Sequence, residues 1–323
     1  MNRPISLEQF AYYLQQTPGI GPAAMRATLK RIKEKQLPPD EILNLNEKDL
    51  REKLNLKPEV ITSIRHPSDR TVSLWNSLTE KGVIIRIFGF DDYPTRLINV
   101  LGNTAPPILY LLGNEKLLES RAVGFCGSRK ASVIGLDVAE NCGEIFAERS
   151  INVVSGYAAG VDMATHVGAL RRGGSTIFVL PTGILHFRLK EPISTLLGSS
   201  SSSNALVISE FPPGMPWKPH NAMTRNRTIV GFSDAMVVIE SGLRGGTFEA
   251  GKTALSLGVP LFCVEYAIPP SSASGNTYFL SHGASPVRRS ANGLPNISKI
   301  LESIHGSSSR SPRKECQPPL AFS

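Results

Sequence analysis

Gly127-Ser128-Arg129 follows the apolar run Ala122 to Cys126 without a break, and Ser155-Gly156-Tyr157-Ala158-Ala159-Gly160-Val161-Asp162 follows the run Ile151 to Val154 in the same way. Glycine permits a tight turn, serine can cap a helix or bind an oxygen, and arginine presents a forked donor matched to phosphate. A third group, Arg225-Asn226-Arg227 with Lys218 and His220 upstream, comes after the apolar run Leu206 to Ser209 and the loop Phe211-Pro212-Pro213-Gly214. Two arginines flanking an asparagine at a helix start read as a compact cation cluster. The competing reading is a salt bridge to Asp234 or Glu210. Amide-rich turns plus placed cations on one edge of a sheet describe an anion site.

Asp162 reads as an N-cap for the helix that follows it, because a carboxylate there satisfies orphan amides. His166, on the same helix, reads as a packing or hydrogen-bonded residue and not as a general base. Gly246-Thr247-Phe248-Glu249-Ala250-Gly251-Lys252-Thr253 matches the literal pattern G-x-x-x-x-G-K-[ST]. A phosphate-wrapping loop needs small inner residues and a strand running directly into the first glycine. Here Phe248 and Glu249 lie inside the pattern and Ser241 to Gly245 intervene, so the segment reads as a helix with Lys252 part way along it.

Stepping along the chain gives the elements that must hold these groups. From Ser6 to about Leu78 the apolar spacing is helical, with Leu14, Leu29, Ile32, Leu50, Leu54, Val60 and Ile64 on it. Residues 1–80 are expected to form a small all-helical domain. Within it, Pro18-Gly19-Ile20-Gly21 resembles the turn of a helix-hairpin-helix motif, whose glycines let amides approach a phosphate. Strands are expected near 83–88, 106–113, 121–126, 151–154, 175–180, 205–208, 235–239 and 260–264. Helices are expected near 133–149, 161–171, 189–197, 223–231 and 247–257, with short ones near 275–283 and 294–304. Strand and helix in alternation imply an α/β fold: a doubly wound, mostly parallel sheet over 81–305 preceded by the helical domain. Gly198 to Ser203 read as a surface loop, and 306–323 as a disordered tail.

The 323 residues suffice for a real core, and a formal charge of +8 points mildly to a polyanionic partner. No long basic block exists, so nucleic-acid binding has to come from a few placed residues. No apolar run approaches the roughly 18 residues that cross a bilayer, and Met1 to Ile20 lacks a signal-peptide pattern. A cytoplasmic protein without membrane attachment is expected. Cys126, Cys142, Cys263 and Cys316 are widely spaced, which argues against a disulfide framework or a metal site.

Taken together, the motifs resemble the DNA-processing protein A family, DprA or Smf. They run in order: Tyr93-Pro94 with Pro107-Ile108-Leu109-Tyr110 and Gly113; Gly127-Ser128-Arg129; Ser155-Gly156, Ala158, Gly160 to Asp162, His166 and Gly168-Ala169-Leu170. Then come Gly174, Thr176, Val179-Leu180, Gly183, Ser209-Glu210, Pro213-Gly214, Arg225-Asn226-Arg227, Ile229, Gly231, Ser233-Asp234, Gly275-Asn276 and Gly283-Ala284. The likeness covers about residues 80–290.

The resemblance implies an extended Rossmann-like fold that binds single-stranded DNA and hands it to RecA, as a homodimer, with no catalytic residues, metal or cofactor. By that likeness Arg129, Lys218, Arg225 and Arg227 would hold phosphates, and the turns at Gly127-Ser128 and Ser155-Gly156 would supply amides. Gly160 and Asn226 complete the expected DNA-binding set. Where the family usually has Phe-Pro just before Arg-Asn-Arg, this chain has Ala222-Met223; Trp217 could substitute as the stacking ring. No winged-helix segment follows the sheet segment, so duplex binding by that route is not expected. The alternative is a nucleotide-binding or nucleotide-cleaving protein with a P-G-G-x-G-T-x-x-E signature. Gly246-Thr247 fits that pattern, but Ala250 stands where its glutamate belongs, with Glu249 one residue early.

Overall fold

The apolar runs pair into one nine-stranded sheet in the order β1-β2-β6-β5-β4-β3-β7-β8-β9. Its strands are β1 (Ile84–Ile87), β2 (Ile108–Gly113), β3 (Ala122–Cys126), β4 (Asn152–Ser155), β5 (Thr176–Val179), β6 (Ala205–Ser209), β7 (Ala235–Val238), β8 (Leu261–Val264) and β9 (Ser285–Val287). The computed structural model describes residues 5–38, 42, 44–198 and 204–306. Residues 199–203 of the serine loop and 307–323 of the tail expected from sequence fall outside the described residues.

Strands β3 to β9 pair parallel, while β1 with β2 and β2 with β6 pair antiparallel. The chain starts its parallel part in the middle, at β3. It steps outward through β4 and β5 to β6, then returns to the other flank of β3 for β7, β8 and β9. The reversal of winding falls between β3 and β7. Between the strands lie α6 (Thr95–Leu101), α7 (Val133–Ala147), α8 (Val161–Arg171), α9 (Ile193–Leu197), α10 (Pro219–Gly231), α11 (Gly246–Ser256), α12 (Asn276–Ser281) and α13 (Ser298–Gly306). Helix α6 and strand β9 were not expected from sequence. Helix α10 begins at Pro219 and not at Met223, because proline at the first helical position loses no hydrogen bond.

Parallel strands are buried on both faces, and alternate side chains enter different clusters. Leu109, Leu111, Ile177, Val179, Leu206, Ile208, Met236 and Val238 point to one face, where Leu97, Ile229, Phe232, Ala254 and Phe279 cover them. The opposite face is divided. Over β3, β7 and β8, Val123, Phe125 and Val237 meet Phe146, Ile300 and Ile304. Over β2, β5 and β6, Ile108, Tyr110, Phe178 and Val207 share a cluster with Phe10, Leu14, Leu29, Leu54, Ile61 and Leu78. Those last residues belong to the N-terminal helices α1 (Leu7–Gln16), α2 (Pro22–Glu34), α3 (Glu47–Leu54), α4 (Pro58–Arg65) and α5 (Asp69–Glu80). The helical segment thus packs on the sheet's own core, and Tyr110 Oη donates to Gln15 Oε1 at 2.7 Å across the junction.

Candidate nucleic-acid interface

All the parallel strands end on one edge, and the turns after β3 and β4 interlock there. A Cβ at Gly127 would run into the Val161 side chain, and one at Gly160, which has φ +82°, would run into the backbone of Ser128 and Arg129. Val161 N donates to Ser128 O at 3.3 Å. This close approach sets the exposed Arg129 beside residues 156–159.

Several amides of these turns have partners within the chain. Ser128 N donates to Glu240 O at 2.8 Å. Ala158 N donates to Asp162 Oδ2 at 3.2 Å, and the Gly156 amide faces the same carboxylate. Asp162 is therefore a ligand for the turn behind it, and the N-cap position of α8 belongs to Gly160. Burial raises the Asp162 carboxyl above the usual range, while Arg225, Ser155 and the two amides oppose that shift. Ser155 itself is fully buried, with Oγ donating to Phe125 O at 2.8 Å.

The Arg225-Asn226-Arg227 group does not form a compact cluster. The three residues lie in the middle of α10, where neighbours two apart point in nearly opposite directions. Arg225 is 6% exposed, and its Nη1 donates to Gly156 O at 2.8 Å and to Val179 O. Burial lowers its affinity for its proton, and Asp162 and Glu210 counter that effect. Neither acid forms an ion pair with it at contact distance. Asn226 Nδ2 donates to Gly246 O at 2.9 Å, tying α10 to α11. Arg227 is exposed on the other side, donating to Thr104 Oγ1 at 2.7 Å. The proposed bridges to Asp234 and Glu210 are absent: Asp234 pairs with Arg96 at 3.2 Å, and Glu210 Oε1 accepts from Thr228 at 2.7 Å.

What the structure gathers above β4 and β5 is a pocket of about 500 Å³. Arg129, Gly156 and Arg225 line it, together with Tyr157, His186, Phe187, Arg188, Lys190 and Trp217. Arg129, Arg188 and Lys190 are exposed cations, and no carboxylate lies among the described lining residues. Arg129 Cζ stands 6.0 Å from the Trp217 ring centre, and Lys190 Nζ 5.3 Å from that of Tyr157, both within cation–π range. Trp217 is about half exposed. Lys218, the exposed residue before α10, follows Trp217 directly but is not part of the lining.

Residues 186–190 and Tyr157 were missed by the sequence reading. The signal existed: His186-Phe187-Arg188-Leu189-Lys190 follows β5 and its Pro181-Thr182-Gly183 turn, so it too lies at a carboxyl strand end. Tyr157 adopts φ +61°, uncommon for a ring-bearing residue. Its hydroxyl accepts from Lys190 N at 2.7 Å and donates to Arg188 O at 3.3 Å. Beneath the pocket, His166 is fully buried, with Nδ1 2.5 Å from Thr176 Oγ1. Burial, then Arg225, pushes its pKa down to about 3, so it stays neutral.

Two features refuse nucleotide chemistry at the pattern around Lys252. Helix α11 begins at Gly246, so no loop remains to wrap phosphates. Lys252 Nζ lies 3.4 Å from Glu249 Oε1 on an outer face. At the reversal of winding between β3 and β7, the buried Glu240 carboxylate accepts from Ser132 N at 2.9 Å, from Ser132 Oγ and from Ser272 Oγ at 2.6 Å. Sequence reasoning missed Glu240 as well.

Fold and site together define a doubly wound α/β protein with a cationic, ring-lined pocket beside its winding reversal. A family model described as DNA recombination-mediator protein A matches residues 85–298, and the chain belongs to that family. The putative DNA processing protein DprA of Mycobacterium tuberculosis is 35% identical over 188 residues, which are 57% of this chain and 48% of that protein. The DNA processing protein DprA of Streptococcus pneumoniae is 33% identical over 195 residues, 60% of this chain and 67% of the relative. The chain thus spans about half the length of the first of these. The X-ray structure of the Streptococcus pneumoniae protein superposes with a TM-score of 0.70 at 24% identity, covering 88% of this chain and 95% of that one. A Helicobacter pylori DprA structure, described as giving insight into its single-stranded DNA binding mode, superposes with a TM-score of 0.54 at 22% identity. It covers 68% of this chain and 94% of that one. Both support the fold.

Proposed function

We propose that this chain binds single-stranded DNA in the pocket above β4 and β5 and holds it without cleaving it. The observation that carries this reading is the meeting of three exposed cations, Arg129, Arg188 and Lys190, with the rings of Tyr157, Phe187 and Trp217. Backbone-tracking cations beside stacking platforms are what sequence-tolerant single-strand binding requires. The described lining residues include no carboxylate, and the one histidine among them, His186, has its Nε2 engaged 3.1 Å from Gly214 O. That supports holding over acid–base chemistry.

Within this reading Gly127, Ser155, Gly156 and Gly160 shape the turns, and Ser128 and Asn226 tie them to neighbouring elements. Lys218 and Arg227 extend positive charge beyond the pocket. The segments expected as domains 1–80 and 81–305 act as one unit, because one apolar cluster spans both. Membership in a recombination-mediator family supports the further reading that the bound strand is handed to RecA, by a homodimer, in the cytoplasm. Among the described residues no helix is long and apolar enough to cross a membrane.

Fluorescence anisotropy of a labelled oligothymidylate tests the binding step. Three phosphate contacts to a single strand predict a slope of log affinity against log salt of about −2. No binding at low salt, or binding indifferent to salt, overturns the reading. Faster RecA assembly on the same strand tests the hand-over.

A further inference from the structure

The DNA-binding reading assigns Arg225 no free charge, yet its guanidinium reaches both strand ends under the pocket. Its Nη1 joins the carbonyl of Gly156, just past β4, to that of Val179, the last residue of β5. The guanidinium occupies the space that a Cβ at residue 156 would need. The next residue, Tyr157, is held in the left-handed region, and its hydroxyl bonds the main chain at Arg188 and Lys190. Hydrogen bonds at either end of the covalently linked 156–157 turn therefore connect Arg225 to the main chain that carries the two cations on the far wall. Asp162, which binds the same turn, and Glu210 supply the opposing charge that makes a buried guanidinium tolerable.

We propose that Arg225 is a positioning residue: it touches no DNA and sets, through Gly156 and Tyr157, where Arg188 and Lys190 present their charges to the strand. This rests on the binding reading above. The charge that meets phosphate comes from Arg129, Arg188 and Lys190.

A double-mutant cycle on the full chain tests it, with oligothymidylate affinity as the readout. Arg225→Gln is expected to weaken binding about tenfold in the parent and less than twofold in an Arg188→Gln/Lys190→Gln background, which retains the main-chain groups that Tyr157 binds. Arg225→Lys ends one bond short of the Nη1 that joins the two carbonyls and is expected to behave as Arg225→Gln. General loosening would weaken both backgrounds equally, so the difference between them reports positioning. Where Arg225→Gln does not fold, Tyr157→Phe, which deletes only the hydroxyl link, enters the same cycle with the same expectation. Additive losses, or Arg225→Lys at parental affinity, overturn the proposal while leaving the binding reading standing. A parent chain without salt-dependent binding overturns the binding reading itself.

Discussion

Two places along the same edge of the sheet, one closed and one open, have opposite contents. Between β3 and β7, where the winding reverses and a ligand is ordinarily expected, the buried Glu240 carboxylate meets the first turn of α7 and the hydroxyls of Ser132 and Ser272. Above β4 and β5 the wall is cationic and ring-lined, and no acid stands among its described residues. The protein supplies its own anion to the first place and leaves the second open to one. Topology therefore locates an edge, and side-chain charge decides which part of that edge accepts a polyanion.

The comparison breaks most directly by inverting the open crevice. Arg129→Glu with Arg188→Glu replaces two attractions with two repulsions and is expected to weaken oligothymidylate binding on the order of 100-fold at low salt. Retained affinity in a titration would place the strand elsewhere. Trp217→Ala, which removes a half-exposed ring, is expected to cost about tenfold, within the ~1–3 kcal/mol typical of a base-stacking aromatic. Anisotropy reads that as well.

The closed place should respond in stability and not in binding. Glu240→Ala leaves the Ser132 amide and two hydroxyls without their acceptor and is expected to lower unfolding free energy by about 2 kcal/mol, measured by urea titration. Its DNA affinity should stay within twofold of the parent. The smallest effect belongs to Lys252→Ala, expected to change neither DNA binding nor stability measurably, since the lysine lies on an outer helix face with Glu249. Loss of function in that protein would revive the nucleotide reading.

Much of the fold was legible in sequence because strand and helix periods are local. Helix α8 occurs at the expected 161–171, and most parallel strands fall within a residue or two of their expected places. The pocket was legible by halves. Arg129 announced itself beside a glycine turn, whereas Lys190 sat in a segment read as helical, near 189–197, and Arg188 just before it. Placing the start of α10 at Met223 put Arg225 and Arg227 together at a helix end. Starting it at Pro219 places them mid-helix and separates them. Asp162 was read as a cap on its own helix because local rules favour that, and the upstream turn competed successfully for its carboxylate.

By itself, the order of residues determined the alternation of elements, the parallel core and the edge on which small and cationic residues collect. Each of those depends on neighbours a few positions apart. Only the tertiary structure decided which charges stay available. The contacts that bury Arg225 against Gly156 and Glu240 against Ser132 span 69 and 108 residues. Whether a side chain faces solvent or a carbonyl at such separation is settled when the strands come together, because desolvation and hydrogen bonding act across space and leave no periodic trace along the chain.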